Sequence, residues 1–485
     1  MKRYYFLPAL LLVCGWLTAQ PKYSGTLPVL FVNTEGNAPI VSKETYLPAT
    51  YYLDNMGNAS FESIGSKEAP LEIQIRGRGN YSWSGFDKKP YRIKLGTKQK
   101  LMGMKSSKHF ALLAHADDDL AFLRNTVGFE LSRRLGLAWT PAQAPVELVL
   151  NGDYIGLYFL TETIRVDKDR VNIVEQPDLT THPDSITGGW LLEIDNYDDP
   201  AQIQITEGNG ELLRFTHKTP EVLSAEQEQY LRQQVEAMDD AIYAKDKSSR
   251  KWEEYIDINV LARYYVVQEI LDDSESFHGS CYLYKEQGEG KWFFGPVWDF
   301  GSSYHRDSQQ FIYVSPPWGQ SWIEEIAKFP RFQQEVRAVW SDFYQHYYAG
   351  LSEFIDDFIA EIEAASKCNY ARWQQYGNAD VNVQKKEFKR YLTNRINWLF
   401  WQWSYSSAVE NTPDAGVLVY DNGNGAIIVQ SPDTVTAVKV YSVTGALYAS
   451  VTSAEQEMTI ACPEGVYFVQ TISSAGRRTQ KVVVR

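Results

Sequence analysis

The stretch from Tyr264 to His305 constrains this chain most, because a helix, a polar loop and a hairpin must follow one another in one short run. Tyr264, Val267, Ile270 and Leu271 recur at helical spacing, and an acidic, serine-rich loop comes next. Cys281 to Tyr284 and Trp292 to Phe294 have the aromatic content of strands, with Gly288 and Gly290 supplying the turn between them. The second strand runs into Pro296-Val297-Trp298-Asp299-Phe300-Gly301. A carboxylate just past a buried strand and close to a glycine is well placed to hold a divalent cation against a phosphate. His278 and His305 flank this region and either could donate to a phosphate, although a histidine at a loop end is more often structural. Cys281, on a buried strand, reads as a small core hydrophobe.

A chain of 485 residues exceeds one usual core, so two or three domains are expected. Residues 1–19 fit a secretory signal peptide, with Lys2 and Arg3 before an apolar run from Phe6 to Trp16 and a small residue, Ala19, at the cut. Losing it removes two basic residues and no acidic one, so a chain already at −14 becomes more negative. That charge excludes nucleic acid and anionic membrane as bulk partners. The remaining cysteines, Cys281, Cys368 and Cys462, are too widely spaced for a zinc site or a disulfide framework. No later segment is apolar for about 18 residues, so no transmembrane span is expected. The 31 Tyr and 14 Trp allow a large core or stacking surfaces for sugars or a purine, and composition does not choose between them.

Residues 20–70 read as a β-rich entry segment, with apolar runs at Leu30 to Val32 and Tyr51 to Leu53. Leu71, Ile73 and Ile75 alternate with polar residues, as do Tyr91, Ile93 and Leu95, which predicts two half-buried strands around a glycine-rich loop. Arg76, Arg78, Lys88, Lys89, Arg92 and Lys94 make this the one concentrated basic patch of an acidic protein. It suits a nucleotide phosphate, or it is a solvated hairpin. Asp117, Asp118 and Asp119 predict the start of a helix whose stripe is Leu123, Val127, Leu131 and Leu135. Glu130 lies close to that stripe and either pairs with a strand lysine such as Lys94 or reaches solvent.

Asn151-Gly152 between Val146 to Leu150 and Tyr154 to Leu160 is the clearest hairpin. Gly188 to Ile194 and Ile203 to Ile205 read as further strands, and Ser224 to Ile270 as two helical segments. Ile323 to Gln374 and Val383 to Trp403 keep helical periodicity and predict a helical lobe. Residues 405–416 are rich in Ser, Asn, Thr, Pro and Gly and mark a linker. Residues 417–485 read as five to seven short strands, a small all-β sandwich.

Arg76-Gly77-Arg78-Gly79-Asn80 with Lys89-Pro90-Tyr91, then Leu123-Arg124-Asn125, the hairpin ending at Glu162, and Trp298-Asp299-Phe300 follow in an order that resembles the CotH (spore coat protein H) kinase family. The resemblance implies an α+β fold: an atypical kinase-like body over residues 71–404, β-rich first and helical later, followed by the sandwich. It implies Mg²⁺ and ATP as cofactors, Asp299 and Ser280 at the metal, and Glu275 as catalytic base with Asp272 as a possible substitute. Arg78, Lys94, Glu130 and Glu162 are the residues expected near the phosphates, with the adenine against Tyr158 or Phe293. Glu275 and Ser280 stand where the family carries aspartate and asparagine. Gly465-Val466-Tyr467-Phe468-Val469 and the closing Lys481-Val482-Val483-Val484 resemble a type IX secretion sorting domain, which implies export to the cell surface by that machinery and a Bacteroidota-like source. Three readings follow: an exported kinase acting on a surface or secreted protein, a pseudokinase that binds without turnover, and a glycan-binding or carbohydrate-active protein.

Overall fold

The computed structural model describes residues 22–404 and 418–484, apart from 196, 289, 306–308, 315–320, 377–378, 422–424, 444 and 474–475. The expected signal peptide at 1–19 and the expected linker at 405–416 lie outside the described residues. The chain mixes helix and strand, β-rich in its N-terminal part and helical in its C-terminal half. It divides into two compact units: one runs up to Leu123 and adds Pro141–Thr163 and Glu353–Lys386, and the other takes Arg124–Thr140, Ile164–Ser352 and the chain from Glu387 onward.

The first unit is built on a closed seven-stranded barrel. Its strands are β1 (Val29–Thr34), β2 (Leu47–Asp54), β3 (Leu71–Gly77), β4 (Tyr91–Gln99), β5 (Ser107–Leu113), β6 (Gln143–Leu150) and β7 (Asp153–Glu162). Six pairings are antiparallel, and the barrel closes where β1 runs parallel to β6, from Val29 opposite Glu147 to Val32 opposite Leu150. Closure leaves no edge strand with unpaired backbone groups. The alternation read from the sequence is the barrel's inside and outside: Ile73, Ile75, Ile93 and Leu95 enter the core with Phe110, Val146, Leu148 and Leu160. Asn151 and Gly152 take φ of 51° and 79°, the left-handed pair that a two-residue hairpin turn requires. The chain entering β1 is pinned by Glu147, whose carboxylate accepts from the backbone N–H of Ser24 at 2.9 Å and its hydroxyl at 2.6 Å.

The basic loop carries a short helix, α1 (Tyr81–Ser84). Lys88 at the end of this loop is buried beneath it, and its ammonium donates to the carbonyls of Ala114 and Leu157 at 2.7 and 2.6 Å. Helix α2 (Leu123–Arg134) starts later than the three aspartates imply. Ala121 and Phe122 adopt φ of 63° and 61°, so the chain turns left-handed between Asp119 and the first helical residue.

The second unit holds a five-stranded antiparallel sheet in the order β12-β11-β8-β10-β9. Its strands are β8 (Trp190–Ile194), β9 (Gln202–Thr206), β10 (Leu212–Thr219), β11 (Cys281–Lys285) and β12 (Trp292–Phe294). All five residues of β8 are buried, as a central strand demands. Helix α3 (Ala225–Ile242) starts at a capping box in which Ser224 and Gln227 satisfy each other's backbone N–H. Helix α4 (Ile258–Ile270), capped by Asp257, is buried on nearly every side and packs against the later helix Pro330–His346. The helical half continues with α5 (Trp322–Ile326), α6 (Pro330–His346), α7 (Leu351–Arg372) and α8 (Val381–Trp403). Among the described residues no helix is long and apolar enough to cross a membrane.

The last strands are β13 (Leu418–Asp421), β14 (Ala426–Ser442), β15 (Leu447–Ala461), β16 (Gly465–Ser473) and β17 (Gly476–Val484). They form one hydrogen-bonded sheet with a core of their own around Val429, Val438, Val440, Ile460 and Val469. The turn expected near Ser431 to Asp433 is instead a shift of register inside β14, between Gln430 and Val435, so two long strands replace several short ones.

Candidate active site

The site grows from the end of α4. The helix delivers Glu269 and Ile270 to a loop, 272–280, which leads into β11, while β12 leads into a turn at Asp299 to Tyr304. Asp272, Ser280, Asp299 and Tyr304 all have positive φ, between 49° and 57°. Non-glycine residues so held need a surrounding that over-determines them, and such strain clusters at functional sites.

That surrounding is visible. Asn125 Oδ1 accepts from the backbone N–H of Phe300 at 2.8 Å, and Arg124 Nε donates to the carbonyl of Ser303 at 2.8 Å. Both side chains are buried, so neighbouring residues of α2 clamp both ends of the turn. Phe300 lies flat enough on α2 that a Cβ at Gly128 would sit 2.2 Å from its ring. Tyr304 donates its hydroxyl to the carbonyl of Ile270 at 2.8 Å and so ties the turn to the end of α4. Between the turn and the loop, Ser302 Oγ donates to Glu275 Oε2 at 2.5 Å.

Behind the loop stands a buried ion pair. Arg395 of α8 bonds the Glu269 carboxylate, donates to the Glu269 carbonyl at 2.7 Å, and reaches Asp272 at 3.5 Å. Burial raises Glu269 to about 7, and the Arg395 charge opposes that rise. Asp272 is therefore corrected as a substitute base: it is buried and turned toward Arg395. Its neighbour Asp273 is the one in the carboxylate group. Burial first, then the charges of Glu275 and Asp299, hold its pKa well above the ordinary aspartate value. Asp299 is exposed, Glu275 half-buried, and both with Asp195 raise the phenol of Tyr197 beside them, after its burial. His278 is held neutral by burial, its pKa lowered to about 4, and the buried Cys281 thiol is pushed up to about 12.

Six expected site residues lie in the second unit. Glu275, Asp272 and Asp299 are described above; Ser280 is half-buried just before β11, and Phe293 is half-buried on β12, stacked on Tyr284 at 5.4 Å. Glu130, the sixth, bonds Arg134 at 2.7 Å and Arg133 at 3.3 Å on its own helix, so the partner expected in Lys94 is supplied locally. The other four lie in the first unit. Arg78 is half-buried beyond β3, and Lys94 is exposed on the outward side of β4. Tyr158 offers no ring to an adenine: it is sealed in the barrel core, with its hydroxyl on the Lys89 carbonyl at 2.9 Å. Glu162 is buried too, and its carboxylate accepts from the Ala142 N–H at 3.1 Å rather than facing a phosphate. Sequence reasoning missed Ser302, Arg395 and the clamping role of Arg124 and Asn125. Only the Leu123-Arg124-Asn125 motif gave a signal.

Among the described residues no three acidic, histidine or cysteine side chains converge to cage a metal. Mg²⁺ needs no such cage, because it is usually held by one or two carboxylates with phosphates and waters. The donor set fits it: hard carboxylate oxygens of Asp273, Glu275 and Asp299 share one region, where burial first and then the charges of Glu275 and Asp299 raise Asp273. No curated protein matches the chain. Residues 73–399 match the family described as CotH kinase protein, a span that runs from β3 through the clamped turn to α8. The chain therefore belongs to the CotH kinase protein family.

Proposed function

We propose that the chain is an exported phosphotransferase that moves the terminal phosphate of ATP to a hydroxyl of a surface or secreted protein. The observation that carries this reading is the clamped turn with Asp299 beside Asp273 and Glu275, inside a match to the CotH kinase family. Asp299, exposed at the turn, and Asp273 behind it are the residues that would hold Mg²⁺. Bound there, the cation would neutralise charge on the phosphates. Glu275 accepts the proton of the acceptor hydroxyl, and the buried Arg395–Glu269 pair keeps the loop that carries it in place.

Asp299→Asn should lose Mg²⁺-dependent ATP binding measured by calorimetry, and Glu275→Gln should bind but release no ADP. Asp299→Asn binding as well as wild type would remove the site. A second reading, nucleotide binding without turnover, is favoured by Glu275 and Ser280, which stand where the resemblance places an aspartate and an asparagine. Wild type that binds Mg²⁺-ATP yet neither transfers nor hydrolyses phosphate would establish it.

Export is the second half of the proposal. It rests on the signal-like residues 1–19 and on the separate core of the last five strands, whose sequence resembles a type IX sorting domain. Deleting residues 1–19 should keep the protein in the cytoplasm, and deleting residues 417–485 should leave it in the periplasm. Surface display without residues 417–485 would refute the sorting role.

A further inference from the structure

Ser302 sits where the turn and the loop meet. Its hydroxyl reaches across 27 residues to Glu275 Oε2 at 2.5 Å, and the backbone on either side of it is fixed by Asn125 at Phe300 and by Arg124 at Ser303. The backbone that carries the hydroxyl is thus held before any ligand arrives. Glu275, by contrast, hangs on a flexible side chain that loses rotamer freedom when it is ordered. It also shares its surroundings with Asp273 and Asp299.

We propose that Ser302 is the positioning residue for Glu275, holding one carboxylate oxygen so that the other faces the acceptor hydroxyl. A serine hydroxyl donates one hydrogen bond and adds no charge of its own to the cluster. Ser302 lies three residues from Asp299 in the same turn, so one clamped element sets the direction of both the metal-facing aspartate and the base.

This inference rests on the phosphotransfer reading, and one experiment separates the two. Steady-state ADP release from Mg²⁺-ATP is measured for wild type, Ser302→Ala, Ser302→Thr, Glu275→Asp and the Glu275→Asp/Ser302→Ala double variant. Ser302→Ala should lower kcat about ten- to hundredfold, the usual cost of removing an orienting partner, with KM for Mg²⁺-ATP within about twofold of wild type. Ser302→Thr, which keeps the hydroxyl, should restore most of the rate. The shorter Glu275→Asp side chain withdraws from Ser302, so adding Ser302→Ala should then cost little more. Turnover indifferent to Ser302→Ala, or an equal loss in both backgrounds, overturns the role of Ser302 alone. Wild type that binds Mg²⁺-ATP and releases no ADP overturns this role and the phosphotransfer reading together.

Discussion

Gly128→Ala sets two known effects against each other. In the interior of α2, alanine should gain about 1 kcal/mol over glycine from helix propensity. The new methyl, however, would sit 2.2 Å from Phe300 Cε2, 2.4 Å from Cδ2 and 2.6 Å from Cζ. An ordinary carbon contact is about 3.5–4.0 Å, so the ring must retreat by about 1.5 Å. Phe300 is fully buried and packs edge-on against Phe129 at 6.3 Å, which leaves little room. Overpacking of this kind costs about 1–3 kcal/mol, so Gly128→Ala should be neutral to about 2 kcal/mol less stable rather than more stable. The backbone of Phe300 is meanwhile held by Asn125, on the same helix that now pushes its ring away. The strain falls on Asp299, and an ångström of displacement there should cost about a hundredfold in ADP release. Urea denaturation and ADP release from Mg²⁺-ATP test both parts, and Phe300→Leu in the Gly128→Ala background should recover stability by shortening the ring. A Gly128→Ala protein that gains about 1 kcal/mol and turns over normally would refute the close-approach argument.

Arg395→Met should destabilise by about 3–5 kcal/mol in urea denaturation at pH 7.5, because it leaves Glu269 buried without its cation, and Glu269→Gln in the same chain should recover much of the loss; a loss below about 1 kcal/mol would mean that Glu269 is not electrostatically dependent on Arg395. Burial lowers the Lys88 ammonium to about 7, below the 10.5 of an ordinary lysine. Between those values the unfolded chain binds the extra proton, so stability should rise with pH from about 7 to 10.5 and be flat in this group below 7. Comparing wild type with Lys88→Met at pH 7 and 9.5 isolates this contribution, of order 3 kcal/mol over that interval, and equal pH slopes in both proteins would refute it.

Local structure was legible where a local rule decides it. The Asn151-Gly152 hairpin, the strands around the basic loop and the long helices all follow from turn chemistry and from periods of 2 and 3.6. The closure of the barrel was not legible, because alternation assigns faces and says nothing about which strand pairs with which. Strand β10 escaped because its inward residues, Leu213, Phe215 and His217, include a histidine and leave only two apolar positions in the alternation. The triple aspartate misled for a different reason. Two left-handed residues follow it, and no propensity scale anticipates Ala121 and Phe122 there. At the candidate site, motif order points to Asp299 and Glu275. Which acid of the Asp272-Asp273 pair joins them could not, since the choice is made by Arg395, far along the chain. Asn125 and Phe300, 175 residues apart, likewise show their bond only once the chain is folded.

The pinned entrance and the closed barrel dictate an order of events for the nascent chain. Ser24 waits for Glu147, 123 residues later, before the first strand can lock parallel to the sixth. The loop entropy of that closure is met before its contacts reward it, which slows formation of the ring. Even then the unit is unfinished: the N–H of Leu157 is completed by Asn369, 212 residues further on, in the segment Glu353–Lys386. A ribosome or a secretion pore that has released only the seven strands therefore holds a ring without its last partner. The first unit can reach its native state only after nearly four-fifths of the chain has emerged.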